Sequence, residues 1–209
     1  MPSPRPLTVV KLGGSYAFSP VLDDWLEIIA RSAGHVVLVP GGGPFADAVR
    51  EAQPKMGFDD AAAHHMALLA MEQYGRALVG LNETLATAPS IAEIRRLLSA
   101  RKVPVWAPTS MVLNRTEIPS SWEVTSDSLA AWLARTLRAQ RLLLIKQIDP
   151  PADPVRADDL VSRGIIDRAF ISSLGAGGLE ASIIGPAQHV AAAGALARGE
   201  VIGSRIGFG

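Results

Sequence analysis

The chain has 209 residues and a mass of 22.0 kDa, with 20 basic and 20 acidic side chains and therefore no formal net charge. Hydrophobic residues make up 48% and charged residues 19%, which excludes a disordered or fibrous chain and leaves ample apolar surface for a core. Balanced charge removes the broad cationic footprint of a nucleic-acid binder, and the lack of cysteine excludes disulfides, thiolate metal sites and cysteine nucleophiles.

In chain order, Leu7–Leu12 is a β-branched run stopped by Gly13-Gly14, which predicts a buried strand entering a tight loop. Apolar residues at helical spacing predict a helix from Pro20 to about Ala33. His35–Val39 predicts a second buried strand, broken by Pro40 and three glycines. Helices are expected over Pro44–Ala52, over Asp60–Leu81, and over Ile91–Ala100, where Ser90 and Glu93 read as a capping box. Val103–Ala107 reads as a strand, with Pro104 pointing to an edge or an early strand position. A helix opened by Ser126 or Asp127 runs to about Arg138, followed by the most hydrophobic strand, Arg141–Ile145. Residues 149–154 form a polar, proline-rich connector. A helix at Arg168–Leu174, a strand at Glu180–Ile184, a helix at Ala187–Ala197 and a short strand near Val201–Ile206 complete the pattern.

Strands written as continuous apolar runs between helices argue an α/β fold, with a mostly parallel central sheet covered on both faces. Ligands in such sheets sit beyond the carboxyl ends of the strands, so the informative loops follow Leu12, Val39 and Ile145. The longest apolar runs are far too short to span a bilayer, and the opening MPSPRP lacks a signal-peptide core, so a cytoplasmic protein with no membrane partner is expected.

Lys11-Leu-Gly-Gly-Ser15 places a lysine at a strand end with glycines directly after it, so backbone amides can approach an anion while Lys11 supplies a point charge. Gly41-Gly-Gly-Pro44 repeats the device after the second strand, beside the next helix N-terminus. Neither loop matches the P-loop or dinucleotide fingerprints. A glycine pair after a strand also serves as a plain turn. Two such loops on adjacent strand ends point to phosphate binding. Lysines number only four against sixteen arginines, so the strand-end Lys11 and Lys146 stand out, although Lys146 also reads as a solvated strand end. Asp127, in Ser121-Trp-Glu-Val-Thr-Ser-Asp-Ser128, reads either as a helix N-cap or as a carboxylate holding a lysine or Mg²⁺ near a transferring phosphate. His64, His65 and Arg50 are candidates to face the second glycine loop. No zinc-site spacing and no nucleophile elbow is present.

Lys11–Ser15, Val39–Pro44 and Thr125–Ser128, in this order, resemble the three signatures of the amino acid kinase family over nearly the whole chain. Within it, SWEVTSDS, Pro40–Phe45 with Ala46 and Arg50, the start of the long helix at His64, and Gly164–Phe170 resemble the branch that phosphorylates [5-(aminomethyl)furan-3-yl]methyl phosphate in the making of methanofuran-type coenzymes. The resemblance implies a single three-layer αβα domain, with residues 1–140 as acceptor lobe and 141–209 as a shortened nucleotide lobe. It implies ATP, with accompanying Mg²⁺ and no protein-held metal, and a small phosphate acceptor. Lys11 and Asp127 would be catalytic. Gly13, Gly14, Ser15, Lys146 and Asp149, with Lys11, would hold ATP phosphates, and Gly41, Gly42, Gly43, Arg50 and His64 the acceptor. It also tilts assembly towards a homodimer or higher homo-oligomer, through the Ala- and Met-rich helix 60–81.

Two departures stand out. The family's aspartate-glycine-tyrosine segment reads Lys146-Gln-Ile-Asp-Pro-Pro151 here, and a later lysine is replaced by Asp167-Arg-Ala-Phe170, leaving Lys146 or Arg168 to substitute. No general base stands beside the glycine loops, which suits a phosphate-monoester acceptor that is already largely a dianion at neutral pH. An ammonium on that acceptor would want a carboxylate: Glu123, with Asp47 behind it, and Trp122 against the ring. Glu123 on the surface and Trp122 in the core is the competing reading. Other acceptors (UMP, isopentenyl phosphate, acetylglutamate) or non-catalytic nucleotide or oxyanion binding remain as alternatives.

Overall fold

The computed structural model describes residues 5–150, 153–175 and 177–207. The elements run β1 (Thr8–Leu12), a 3₁₀ turn (Gly14–Phe18), α1 (Leu22–Ala30), β2 (Val36–Pro40), α2 (Gly43–Met56), α3 (Asp60–Leu81), β3 (Leu85–Ala88), α4 (Ile91–Ser99) and β4 (Val103–Trp106). They continue with α5 (Thr109–Val112), α6 (Ser126–Leu137), β5 (Arg141–Ile145), β6 (Val155–Arg156), α7 (Ala157–Ser162), α8 (Phe170–Leu174), β7 (Glu180–Ile184), a second 3₁₀ turn (Pro186–Gln188), α9 (His189–Arg198) and β8 (Ser204–Gly207). Pro151 and Ala152 of the proline-rich connector lie outside the described residues.

The eight strands form one sheet in the order β3-β4-β2-β1-β5-β7-β8-β6, parallel throughout except for the antiparallel β7–β8 pair. The α/β fold expected from the apolar runs is therefore present. Side chains alternate along each central strand between two apolar clusters, one on each face. Val9, Val37, Val39, Leu142 and Leu144 join α6, α7 and α8 on one face. Val10, Leu12, Val36, Leu38, Leu143 and Ile145 join α1 and α9 on the other.

Helix ends follow local chemistry. Asp59 caps α3 by accepting from the Ala62 N–H at 2.8 Å, Ser90 caps α4 through the Glu93 N–H, and Gly57 closes α2 in the left-handed conformation. The Glu93 side chain turns to Arg96 at 2.6 Å, a local ion pair on the surface of the helix.

Several details differ from the sequence expectations. Of the two places to which Pro104 pointed, it takes the early strand position, as the second residue of β4 opposite Ala86, while the sheet edge is β3, unrecognised in the sequence. Helix α2 continues past Ala52 to Met56 with Pro54 in its last turn, and α8 begins at Phe170 rather than Arg168. Ser126 does open α6, and Thr125 rather than Asp127 is its N-cap.

Candidate active site

The parallel register of β1 with β2 and β5 sets Leu12 beside Pro40 and Ile145, so the three loops singled out in the sequence leave the sheet side by side. Within β1, Val9 and Lys11 share a face by the two-residue period, and that face is covered by α6. Lys11, 4% exposed, consequently meets the first turn of α6, where its Nζ lies 2.9 Å from Asp127 Oδ1. That contact is ionic, with no hydrogen-bond alignment. The second oxygen, Oδ2, accepts a well-formed bond from Lys146 Nζ at 2.6 Å. The Lys146 backbone is pinned on both sides: its N–H donates to the Ile184 carbonyl at 2.9 Å, and its carbonyl accepts from Tyr16 Oη at 2.8 Å.

Burial lowers the Lys11 pKa to about 8, the Asp127 charge opposing that shift and Lys146 adding to it. Burial alone would raise Asp127, yet Lys11 and then Lys146 outweigh it and hold the carboxyl at about 2. Asp127 is therefore an anion shared between two cations. As the second helical residue it occupies a position where the helix dipole also favours negative charge.

The glycine loops meet backbone to backbone. A Cβ on Gly14 would stand 2.2 Å from the Gly43 nitrogen, and one on Gly41 would stand 2.3 Å from the Gly14 nitrogen. Gly43 also has φ +55°. Glycine here permits the approach of two loops, in addition to leaving amides open to an anion.

Between these loops and α6 lies a cleft of about 300 Å³, with Lys11, Gly14, Ser15, Gly42, Gly43, Asp47, Arg50, His64, Trp122, Asp127 and Lys146 among its lining residues. An open groove of about 800 Å³ adjoins it across Trp122, Thr125, Asp127 and Lys146, walled on the far side by residues from Val161 to Arg168. The Asp127–Lys146 pair thus stands on the shared border of the two spaces, with Trp122 and Thr125.

At the rim of the cleft the Arg50 guanidinium sits 4.5 Å from the Trp122 ring centre and 3.0 Å from the Asp47 carboxylate, while Trp122 Nε1 donates to Gln53 Oε1 at 2.6 Å. His64 is buried, and burial, followed by neighbouring His65, lowers its pKa, so it faces the cleft as a neutral imidazole.

Several expected residues lie elsewhere. Glu123 points away from the cleft, is exposed, lines the open groove and stands 3.5 Å from Arg168, because the turn preceding α6 directs its side chain outward. Asp47 does line the cleft, beside Arg50 at its rim. Trp122 is neither free nor core, since Arg50 covers its face. Asp149 does not line either space: its Oδ1 accepts from the Ala187 N–H at 3.0 Å. Gly13 and Gly41 lie behind the cleft, their N–H groups donating to Ile145 and Leu12 carbonyls. Asp127 is not the N-cap, because Thr125 takes that place and leaves the carboxylate free to turn to the lysines.

Asp167 is the residue whose part the sequence did not disclose. Its carboxylate gathers four donors from the start of α6: Thr125 N–H at 2.9 Å, Thr125 Oγ1 at 2.7 Å, Ser128 N–H at 3.1 Å, and Ser128 Oγ. Two hydroxyl residues three apart at a helix start were the available signal, but nothing local identifies a partner some 40 residues away.

Among the described residues no group of three or more His, Asp or Glu side chains is placed to hold a metal. Of the carboxylates lining the cleft, Asp127 is engaged by two lysines and Asp47 by Arg50, and Asp167 on the adjoining groove wall is engaged by the α6 donors, so the residues present do not fit a protein-held cation.

A sequence model of the Amino acid kinase family matches residues 6–150. The chain belongs to that family. The match takes in Lys11, both glycine loops, Asp127 and Lys146, and stops at the proline-rich connector. A family relative, the [5-(aminomethyl)furan-3-yl]methyl phosphate kinase of Methanocaldococcus jannaschii, is 23% identical over 173 residues, covering 78% of this chain and 80% of its own. Solved kinases share the fold. The uridylate kinase of Archaeoglobus fulgidus aligns over 96% of this chain and all of its own with TM-score 0.71 at 18% identity. The UMP kinase of Ureaplasma parvum aligns over 87% and 90% with TM-score 0.66 at 16% identity. The protein is a phosphotransferase of this family.

Proposed function

We propose that the protein transfers the γ-phosphoryl group of ATP to a small phosphate monoester, [5-(aminomethyl)furan-3-yl]methyl phosphate, giving the diphosphate and ADP. The observation that carries the transfer chemistry is a buried carboxylate, Asp127, holding two ammonium groups between two adjoining spaces at the strand ends. The substrate rests on the relative that bears this activity in its name.

In this reading the 300 Å³ cleft takes the acceptor and the open groove takes the nucleotide, so residues 1–140 form the acceptor lobe and 141–209 the nucleotide lobe. An acceptor phosphate oxygen forms the new O–P bond as the bond to the ADP oxygen breaks. Little covalent help is needed, and the residues act by alignment and charge. Lys11 neutralises the equatorial oxygens of the migrating group. Lys146, fixed by Tyr16 and Ile184, holds the nucleotide's terminal phosphates and takes the place of the lysine that Asp167-Arg-Ala-Phe170 lacks. The amides of Gly14, Gly42 and Gly43, with Ser15, surround the phosphate oxygens, and Arg50 and neutral His64 position the acceptor. Mg²⁺ bound to the nucleotide would supply further charge neutralisation, coordinated by phosphate oxygens rather than by side chains.

The acceptor's ammonium pairs with Asp47, which lines the cleft, rather than with Glu123, which does not. An Asp47→Asn variant should lose its preference for the amine over the des-amino acceptor while turning over the latter as the parent does. Unaltered preference would remove Asp47 from recognition. Assembly through the exposed Met66, Leu69 and Leu81 on α3, in a homodimer or higher homo-oligomer, belongs to the same reading.

The deciding experiment is phosphorus NMR of the protein with Mg-ATP and a panel of the furan monophosphate, UMP, isopentenyl phosphate and acetylglutamate, with Lys11→Ala as control. Diphosphate formed from the furan compound alone, and only with Lys11 present, is the expected result. Turnover of another member keeps the chemistry and replaces the substrate. ATP binding without transfer to any of them overturns the enzymatic assignment of this site.

A further inference from the structure

Asp167 sits just ahead of α8, on the wall of the open groove and far in sequence from the helix it serves. A helix start leaves several N–H groups without partners, and the usual solution is a side chain at the cap itself. Thr125 does this weakly here: its Oγ1 lies 3.4 Å from the Asp127 N–H. The same hydroxyl donates to Asp167 at 2.7 Å, so the in-chain cap is itself held by a carboxylate from another segment. The Ser128 N–H and hydroxyl and the Thr125 N–H complete the set, so both Asp167 oxygens accept bonds from the residues on either side of Asp127. The segment is tied again by the Ala169 N–H, which donates to the Glu123 carbonyl at 3.3 Å.

The consequence is geometric. Asp127 lies between Thr125 and Ser128, so its Cα–Cβ direction is fixed by the cradle that Asp167 provides. Burial, and then the Asp127 charge, push the Asp167 pKa up, while the donors from Ser128 and Thr125 oppose that shift. Two carboxylates thus sit close together at one helix start, the inner one facing Lys11 and Lys146, the outer one facing only helix donors. Exchanging their tasks would break both sets of contacts.

We propose that Asp167 is a positioning residue for phosphoryl transfer: by capping α6 from the groove wall it aims Asp127 at Lys11 and Lys146 and ties the nucleotide side of the site to the reacting centre. The proposal rests on Lys11 and Asp127 being the transfer residues, and the Lys11→Ala control tests that reading separately. It concerns alignment, so its loss should affect rate more than acceptor affinity. Displacing a reacting group by about an ångström can cost on the order of 100-fold.

The test compares Asp167→Ala and Asp167→Asn with the parent in kcat, in KM for each substrate, in thermal midpoint, and in the alkaline limb of kcat/KM for ATP. For Asp167→Ala the expected result is a kcat lower by about 10–100-fold. Acceptor KM should stay within about twofold, and the alkaline limb should move to lower pH, because Lys11 loses the well-aimed carboxylate that sustains its proton. Mere loosening of the fold would reduce the active fraction and the midpoint without moving that limb. Asp167→Asn retains an acceptor oxygen for the helix donors and should recover most of the rate. If Asp167→Ala does not fold, Ser128→Ala replaces it, with a smaller fall in kcat and the same direction of limb shift expected. Rates and limbs unchanged in the folded variant overturn the proposal. Full activity in Lys11→Ala would instead refute the underlying assignment of the site.

Discussion

Lys11 keeps a charge where burial opposes it, and in the proposed reading that charge bears on both transfer and stability. Its pKa of about 8 lies below the ordinary lysine value, so kcat/KM for ATP should fall as pH rises through about 8, with bound phosphates shifting the limb in kcat upward. A steady-state pH profile checks this. For stability the same group works in the opposite sense. Above about pH 8 the folded state sheds the proton that the unfolded chain still binds, so this group's contribution improves up to the usual lysine range. Asp127, held at about 2, contributes stability that is complete above the usual carboxylate range and is lost as pH falls through about 2. Replacing Lys11 by methionine should therefore abolish transfer without lowering the thermal midpoint, because Lys146 still pairs Asp127 and a buried ammonium is gone. Lys146→Ala should weaken ATP binding, measured by calorimetry, and leave acceptor binding near its parent value. Lys11 and Lys146 were legible because so few lysines occur and both end apolar runs. The outward turn of Glu123 was not, since one backbone rotation before α6 decides it, and that rotation follows from contacts with Arg168 and Ala169 far along the chain.

The loops after β1 and β2 act as one element because they touch through backbone alone. Gly41→Ala, forced against the Gly14 backbone, should cost about 1–3 kcal/mol in denaturant unfolding and most of the activity. Gly80→Ala, at a helix position with open space around the added methyl, should instead stabilise by about 0.5–1 kcal/mol. This contrast separates glycines that permit contact from glycines that merely occupy a position. At this scale, strands that are buried on both faces announce themselves as apolar runs, and β1, β2, β5 and β7 were read to within a residue or so. β3 escaped notice because Leu-Ala-Thr-Ala has neither length nor a large side chain at most positions, and it becomes a strand only by pairing with β4. β6, with two residues, is shorter still and becomes a strand only by pairing with β8, and the short α7 packs beside it.

Across the molecule, no described helix is long and apolar enough to cross a membrane, and the pocket-bearing face is the one at the carboxyl ends of the parallel strands. Light scattering should give a multiple of 22.0 kDa, and Leu69→Glu on the exposed side of α3 should return the single-chain mass. The strand order was beyond the reach of periodicity, which reports what each strand buries and not which neighbour it chooses. That order places β1 at the heart of the sheet, between β2 and a β5 that lies far downstream. During synthesis β1 and β2 emerge long before α6 and β5, so Lys11 is made well ahead of Asp127, which holds its charge, and of Lys146, which shares that carboxylate. At ordinary ribosomal speeds of about 5–20 residues per second, the nascent chain carries an open, apolar strand edge for several seconds. A cell making this protein must shelter that edge until Lys146 has left the ribosome, and the tethered half-chain is the form on which chaperones would act.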